Sequence, residues 1–314
     1  MSSEVLKTPT VTAIICGLLS VHTVAIPVAA QDREAAMRTA ADVIASSAPE
    51  EWRALDPENT VYLELPGGRV VMELAPDFAP RHVENIKRLV RGGRFNGGMI
   101  TRSQDNYVVQ WGPREPSEPH QDEAPFLEGF AQALPAEFEV GDMELPFTPV
   151  PDGDVYAPSA GFVLGFPVGR DEEEGQTWMA HCYGVVGVAR GNDPGSGNGS
   201  GLYVVIGQAP RHLDRNLSMV GRIVRGMEFL SSLPRGSGSL GRFESREEWI
   251  RLGSVRMGAD LPSDQNLPIE VLRTDSESFL DLRLASRSRH EDFFVHPSDR
   301  IGLCNVNVPS RLTN

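Results

Sequence analysis

Residues 95–112 read F-N-G-G-M-I-T-R-S-Q-D-N-Y-V-V-Q-W-G, from Phe95 to Gly112. One arginine, Arg102, sits in a run of strand-forming residues. Tyr107, Val108 and Val109 follow it, and Gln110 closes the run. A cation withdrawn from water has to be paired or put to use. Successive residues of a strand point to opposite faces. Arg102 and Gln110 are an even number of positions apart, so one regular strand would turn both to the same side. The turn-forming pair Asp105-Asn106 interrupts the run. Taken alone, Arg102 reads as a structural ion pair and Gln110 as a satisfied buried amide.

The flanking sequence has a clear period. Val61, Leu63 and Leu65 alternate with Tyr62 and Glu64, and the alternation resumes at Val70, Met72 and Leu74 after Pro66-Gly67-Gly68. Two such runs about a short Gly-rich turn predict a β-hairpin. Pro80 suits the first turn of a helix. Val83, Ile86, Leu89 and Val90 supply its buried stripe, and Gly92-Gly93 ends it. Further on, 184–189, 202–206 and 217–224 read as strands. Upstream, 32–55 is Ala- and Glu-rich with Ala36, Ala40, Val43 and Ile44 at helical spacing, which predicts one helix leading to Trp52.

These residues resemble the cyclophilin-type peptidyl-prolyl cis-trans isomerases. The 95–112 stretch is similar to the family signature Y-D-G-x-x-F-H-R-V-I-x-G-F-x-x-Q-G-G. It keeps Asn96-Gly97, Arg102, Tyr107, Gln110 and Gly112, and departs at Ile100-Thr101 and Trp111. Ala79, Pro80, Val83, Glu84, Asn85, Ile86 and Leu89 match the family's A-P-x-x-V-E-N-F-x-x-L helix. Ala136-Glu137-Phe138 resembles its D/E-F segment, and Gly221, Gly226 and Met227 are kept in its V-F-G-x-V-x-x-G-M strand. The resemblance covers 60–233. It implies a mainly β fold, a closed eight-stranded antiparallel barrel capped by helices, with N- and C-terminal extensions.

The organisation expected is a signal peptide over 1–30, a helical extension over 31–59, the isomerase domain over 60–233, and an extension over 234–314. Within the domain, about 113–176 is Pro-, Gly- and acid-rich and reads as a largely irregular insertion. In the last segment, Val255–Met257 and Ile269–Leu272 read as strands and 279–285 as a helix. That segment holds too few apolar residues for a core of its own, so it is expected to pack on the barrel.

The resemblance also implies a chemistry. Arg102 matches the catalytic arginine, and Gln110 the glutamine that contacts the substrate backbone. Tyr107 and Val108 match the aromatic and apolar residues after the turn. Ala189, Tyr203 and Leu213 match residues of the proline pocket. The substrates implied are proline-containing unfolded or folding polypeptides. Arg190 stands where the family often has Asn, Gly201 replaces a common Gln, His212 a frequent Trp and Leu217 a common His. These changes imply weaker or altered isomerase activity and poor cyclosporin binding. The alternative reading is a non-catalytic peptide-binding module or chaperone on the same fold.

Composition narrows the setting. The chain has 314 residues, enough for one large or two small domains. Acidic residues outnumber basic ones by 43 to 29, giving a net charge of -14. Nucleic acid is therefore a disfavoured partner, since it calls for a basic face. Lys7 precedes an apolar run over 11–30 ending in Val28-Ala29-Ala30. This reads as a cleaved secretory signal, with export to the periplasm or beyond and no lasting membrane span. An uncleaved anchor is the alternative, because ~20 apolar residues suffice to cross a bilayer. Cys182 and Cys304 would then remain, and sequence leaves their pairing open. No CxxC or His/Cys cluster has metal-site spacing, so no cofactor or metal is expected. The stretch 236–241, G-S-G-S-L-G, formally matches a dinucleotide fingerprint but follows Pro234 and lacks a strand-helix setting.

Overall fold

The computed structural model describes residues 38–113, 130–141 and 144–313. The expected signal peptide over 1–30 lies outside them. Among the described residues, no helix is long and apolar enough to cross a membrane. In chain order the strands are β1 (Trp52–Ala54), β2 (Thr60–Leu65), β3 (Gly68–Leu74), β4 (Met99–Ser103), β5 (Val108–Gly112) and β6 (Phe147–Pro149). Then come β7 (Ser159–Val163), β8 (Phe166–Asp171), β9 (Gln176–Met179), β10 (Val185–Val188), β11 (Leu202–Val205) and β12 (Met219–Arg225). The last are β13 (Ile250–Arg251), β14 (Val255–Met257), β15 (Ile269–Leu272) and β16 (Ser310–Leu312). The helices are α1 (Ala40–Ser46), α2 (Pro80–Arg91), α3 (Met227–Ser231) and α4 (Glu277–Ser288).

Nine strands form one antiparallel sheet in the order β13-β4-β5-β11-β10-β12-β3-β2-β14. Strand alternation divides its faces. Val109, Trp111, Leu202 and Val204 join Val83, Ile86 and Leu89 of α2 in one buried cluster. Their sequence neighbours Val108, Tyr203 and Val205 belong to a second cluster on the other face. The helices divide likewise. The apolar stripe of α2 and Leu230 of α3 reach the first cluster, while Val43 of α1 and Phe279 of α4 lie in the second.

The expected closed eight-stranded barrel is corrected here. The ladder ends at β13 on one side and β14 on the other, so the sheet is a curled half-barrel. The cause is local, because β4 and β2 do not pair with each other. One chain segment, 250–257, runs between them. It pairs Ile250 with Ile100 and Val255 with Leu63. At its bend the Leu252 N–H donates to the Gly98 carbonyl and the Gly253 N–H to the Glu64 carbonyl, both at 2.7 Å. The segment thus covers two edges that would otherwise expose unpaired backbone groups.

Two other expectations are refined. The N-terminal helix spans only Ala40–Ser46 among the described residues, and β1 follows. Pro49 disfavours helical backbone at Ala48, which stops it. The 113–176 insertion carries a four-stranded antiparallel sheet of β6, β7, β8 and β9 that the sequence did not suggest, although most of its described residues lie outside strands. Its central turn is Leu164-Gly165, with φ of 53° and 89°. Two residues at positive φ make the turn that suits the twist of a hairpin.

The three added segments pack together. β1, β15 and β16 form a small sheet from both ends of the chain. Phe162 of the insertion meets Phe279 of α4 edge-on, with ring centroids 5.3 Å apart. Arg287 of α4 pairs with Asp152 at 2.8 Å. Counted alone, 234–314 is short of apolar residues. Pooled with the insertion and the N-terminal segment, it completes the second cluster. Cys182 and Cys304 form a disulfide, with Cα atoms 5.0 Å apart, joining the end of the insertion to the C-terminal segment.

The insertion also reaches α2. The Glu137 carboxylate accepts from the backbone N–H groups of Arg81 (3.1 Å) and His82 (3.0 Å) and lies 2.6 Å from His82 Nδ1. It thereby satisfies orphan donors at the positive end of the helix. Burial disfavours the charged form, but the His82 and backbone hydrogen bonds outweigh it and hold this carboxyl below its ordinary value. A depressed folded pKa means stability present above the unfolded value and lost as pH falls through the folded one. Glu137→Gln is therefore expected to cost about 1–2 kcal/mol at pH 7. The gap from wild type should shrink below pH ~4.3, the ordinary glutamate value. Urea unfolding at pH 7 and pH 3 checks this, and an equal gap at both would contradict it.

Candidate functional site

A row of facing residues crosses the sheet. Arg102 on β4 faces Gln110 on β5, which faces Tyr203 on β11, which faces Gly187 on β10. Facing partners on neighbouring strands share one side. Arg102 and Gln110 do share a side, but as cross-strand partners on two strands. The Asp105-Asn106 turn is what separates the strands, and Asn106 takes φ of 50° there. An irregularity between Ile100 and Arg102 resets the register of β4. At Gly187 a Cβ would stand 2.3 Å from the Tyr203 hydroxyl, so glycine leaves space for that ring.

The guanidinium of Arg102 is held by neutral acceptors. Nε donates to the Leu240 carbonyl at 2.7 Å, Nη2 to Gln104 Oε1, and Nη1 to Gln110 Oε1 at 3.4 Å. The Tyr107 ring lies beside it, with Cζ 5.6 Å from the ring centroid. Burial, with the nearby Arg242 charge, lowers its pKa from the ordinary arginine value. Arginine remains charged in proteins regardless. Among the described residues no carboxylate pairs with it, so the expectation of a plain structural ion pair fails.

The seven residues singled out from sequence come together. Arg102, Tyr107, Val108, Gln110, Ala189, Tyr203 and Leu213 line one cavity of about 440 Å³. Leu217 and Arg190, two positions of departure from the family pattern, line it as well. Gln104, Leu240 and Arg242 complete the wall and were not legible as site residues. Gln104 lies next to the turn and carries no special signal. Leu240 belongs to the Gly/Ser-rich stretch whose formal motif match pointed to the wrong chemistry.

Beneath the floor runs a buried polar chain that sequence reasoning also missed. The Tyr203 hydroxyl lies 2.8 Å from His181 Nε2, and His181 Nδ1 lies 2.8 Å from Asp214 Oδ1. With Nδ1–H donating to the carboxylate, Nε2 accepts from the tyrosine. Arg211 Nε donates to Asp214 at 2.7 Å, and its Nη groups reach Asp154 at 2.7 and 2.9 Å. Burial pushes the Tyr203 phenol well above its ordinary pKa, so it stays a neutral donor. The chain fixes the ring that forms the floor and the turn that carries Leu213. The one available signal was Asp214, which directly follows the pocket residue Leu213. Among the described residues, no group of three or more His, Cys, Asp or Glu is placed to hold a metal.

Residues 236–243 form a strap along β4. The Gly236 N–H donates to the Ser103 carbonyl at 2.9 Å and the Phe243 N–H to the Thr101 carbonyl at 3.1 Å. Leu240 has φ of 57°, a costly conformation for a leucine, and this turns its carbonyl to Arg102.

Comparison with known proteins agrees with this geometry. The family model described as "Cyclophilin type peptidyl-prolyl cis-trans isomerase/CLD" matches residues 60–251, more than half of the chain. A "Probable peptidyl-prolyl cis-trans isomerase" of Brucella suis biovar 1 (strain 1330) is 29% identical over 184 residues, covering 59% of this chain and 76% of the relative. Its namesake in Brucella abortus (strain 2308) matches to the same extent. The crystal structure of cyclophilin AquaCyp293 from Hirschia baltica superposes with a TM-score of 0.63 at 28% identity, covering 88% of this chain and 97% of that one. The chain belongs to the cyclophilin-type peptidyl-prolyl cis-trans isomerase family.

The strap supplies a test of how Arg102 is positioned. Gly241 has φ of +72°, and a Cβ there would stand 2.5 Å from Gln104 Cα. Gly241→Ala is expected to displace the strap and lower isomerase kcat/KM by about 10–100-fold, the usual scale for a small misplacement within a site. An unchanged far-ultraviolet circular dichroism spectrum should accompany the loss. Wild-type activity in this variant would show that the strap does not orient Arg102.

Proposed function

We propose that this protein isomerises X-Pro bonds in exported polypeptides, with Arg102 as the catalytic donor. Rotation about a peptide bond meets a barrier of ~18–20 kcal/mol because the nitrogen lone pair is shared with the carbonyl. A hydrogen bond aimed at the prolyl nitrogen localises that lone pair and weakens the double-bond character. No covalent bond forms or breaks, and no proton needs to be transferred.

Arg102 suits the task. A guanidinium carries five N–H donors in a rigid plane. Three are engaged by Leu240, Gln104 and Gln110, which leaves two for a substrate. The proline ring would lie on Tyr203, Leu213 and Val108, and Gln110 would contact the peptide backbone. Such contacts accelerate rotation only where they favour the twisted state over both planar isomers. The observation that carries this reading is the placement of an orientated, carboxylate-free guanidinium at the wall of an apolar-floored cavity. The Cys182–Cys304 disulfide supports an oxidising compartment, hence the periplasm or the outside of the cell.

Arg102→Ala is expected to lower kcat/KM in a protease-coupled assay by roughly 100-fold, the scale of losing one preorganised donor. Retained activity would remove Arg102 from the mechanism. Peptide binding by the wild type with no isomerisation would instead favour a binding module.

A further inference from the structure

We infer that the groove prefers proline segments carrying an acidic side chain beside the proline, a preference that rests on the isomerase reading and names its substrate class. Three guanidiniums, those of Arg102, Arg190 and Arg242, line the cavity, and no carboxylate does. Arg190 is held by neutral groups only. Its Nε and Nη2 donate to the Asn216 carbonyl at 3.0 and 2.9 Å, and Nη1 to the Gly191 carbonyl at 2.8 Å. Arg242 is exposed and makes no ion pair among the described residues. Its charge is nevertheless felt by Arg102, whose pKa it helps to lower.

Three acids on neighbouring segments are engaged elsewhere. Asp105 pairs with Arg235 at 3.1 Å, Asp214 with Arg211 at 2.7 Å, and Glu139 with Arg215 at 2.6 Å. A chain with a net charge of -14 therefore lines its proline cavity with three positive groups and no carboxylate. Like charges kept close without neutralisation repel one another, and an anion among them relieves that repulsion. The overall negative charge opposes this only at distance, because screening limits it to about 8–10 Å at ordinary salt. Arg102 serves the prolyl nitrogen, which leaves Arg190 and Arg242 as the groups that select side chains. They reach the cavity from different segments, Arg190 from the end of β10 and Arg242 from the strap.

The experiment uses the full chain and two peptide series, Ala-Xaa-Pro-Ala and Ala-Ala-Pro-Xaa, with Xaa as Glu, Ala or Lys. Nuclear magnetic resonance exchange spectroscopy reads isomerisation, and chemical-shift titration of the same samples reads affinity without requiring turnover. Two partly exposed charges predict tighter binding of Glu than of Lys by about tenfold in at least one series. The Arg190→Gln/Arg242→Gln variant should bring the two affinities within about twofold, a loss of that charge selectivity. Equal affinities for the wild type in both series overturn the preference, and so does a Glu preference that survives in the double variant. A preference for Glu without any isomerisation supports it and counts against the isomerase reading alone.

Discussion

The site depends on one constraint, a guanidinium fixed in direction without being neutralised. A carboxylate partner would hold Arg102 firmly but would take its charge and its best donors. Carbonyl and amide oxygens hold it differently. Leu240, Gln104 and Gln110 each accept one hydrogen bond and leave the charge intact. The cost is a partly buried cation, seen in its lowered pKa. Such a group gains from any electron-rich partner that enters the cavity, and the lone pair of a twisting prolyl nitrogen is one.

Each acceptor comes from a different level of the fold. Gln110 is delivered by the ladder, as the residue facing Arg102 on the next strand. Gln104 follows β4 at the turn. Leu240 comes from beyond the sheet, on a strap whose strained backbone aims one carbonyl. The floor is secured from below by the Asp154–Arg211–Asp214–His181–Tyr203 chain, in which the histidine joins the tyrosine to the carboxylate. A buried polar chain is stabilising only when every member finds a partner. This chain begins at Asp154, between β6 and β7, so the insertion contributes to the cavity through its hydrogen bonds as well as its packing.

Much of this was legible in the sequence because it rests on local pattern. The hairpin of β2 and β3 follows from strict alternation, α2 from Pro80 and its apolar stripe, and the cavity from two motif blocks that a strand row brings together. The rest depends on tertiary context. The insertion hairpin turns on Leu164-Gly165, and leucine is not a residue that announces a positive φ. The second apolar cluster joins one face of the large sheet to residues from three added segments, of which 234–314 is too poor in apolar residues to suggest a core alone. The sheet stays open because 250–257 occupies the gap, a choice made by distant backbone groups. Leu240 was hidden for a related reason, since a backbone carbonyl carries no side-chain signature.

The central claim is that direction, and not charge alone, makes Arg102 effective. Arg102→Lys tests it most directly, because lysine keeps the positive charge and loses the planar fork. The account predicts that this variant, folded and able to bind peptide, isomerises X-Pro bonds no faster than Arg102→Ala by exchange spectroscopy. Isomerisation by the lysine variant near the wild-type rate would show that a point charge suffices, and would contradict it.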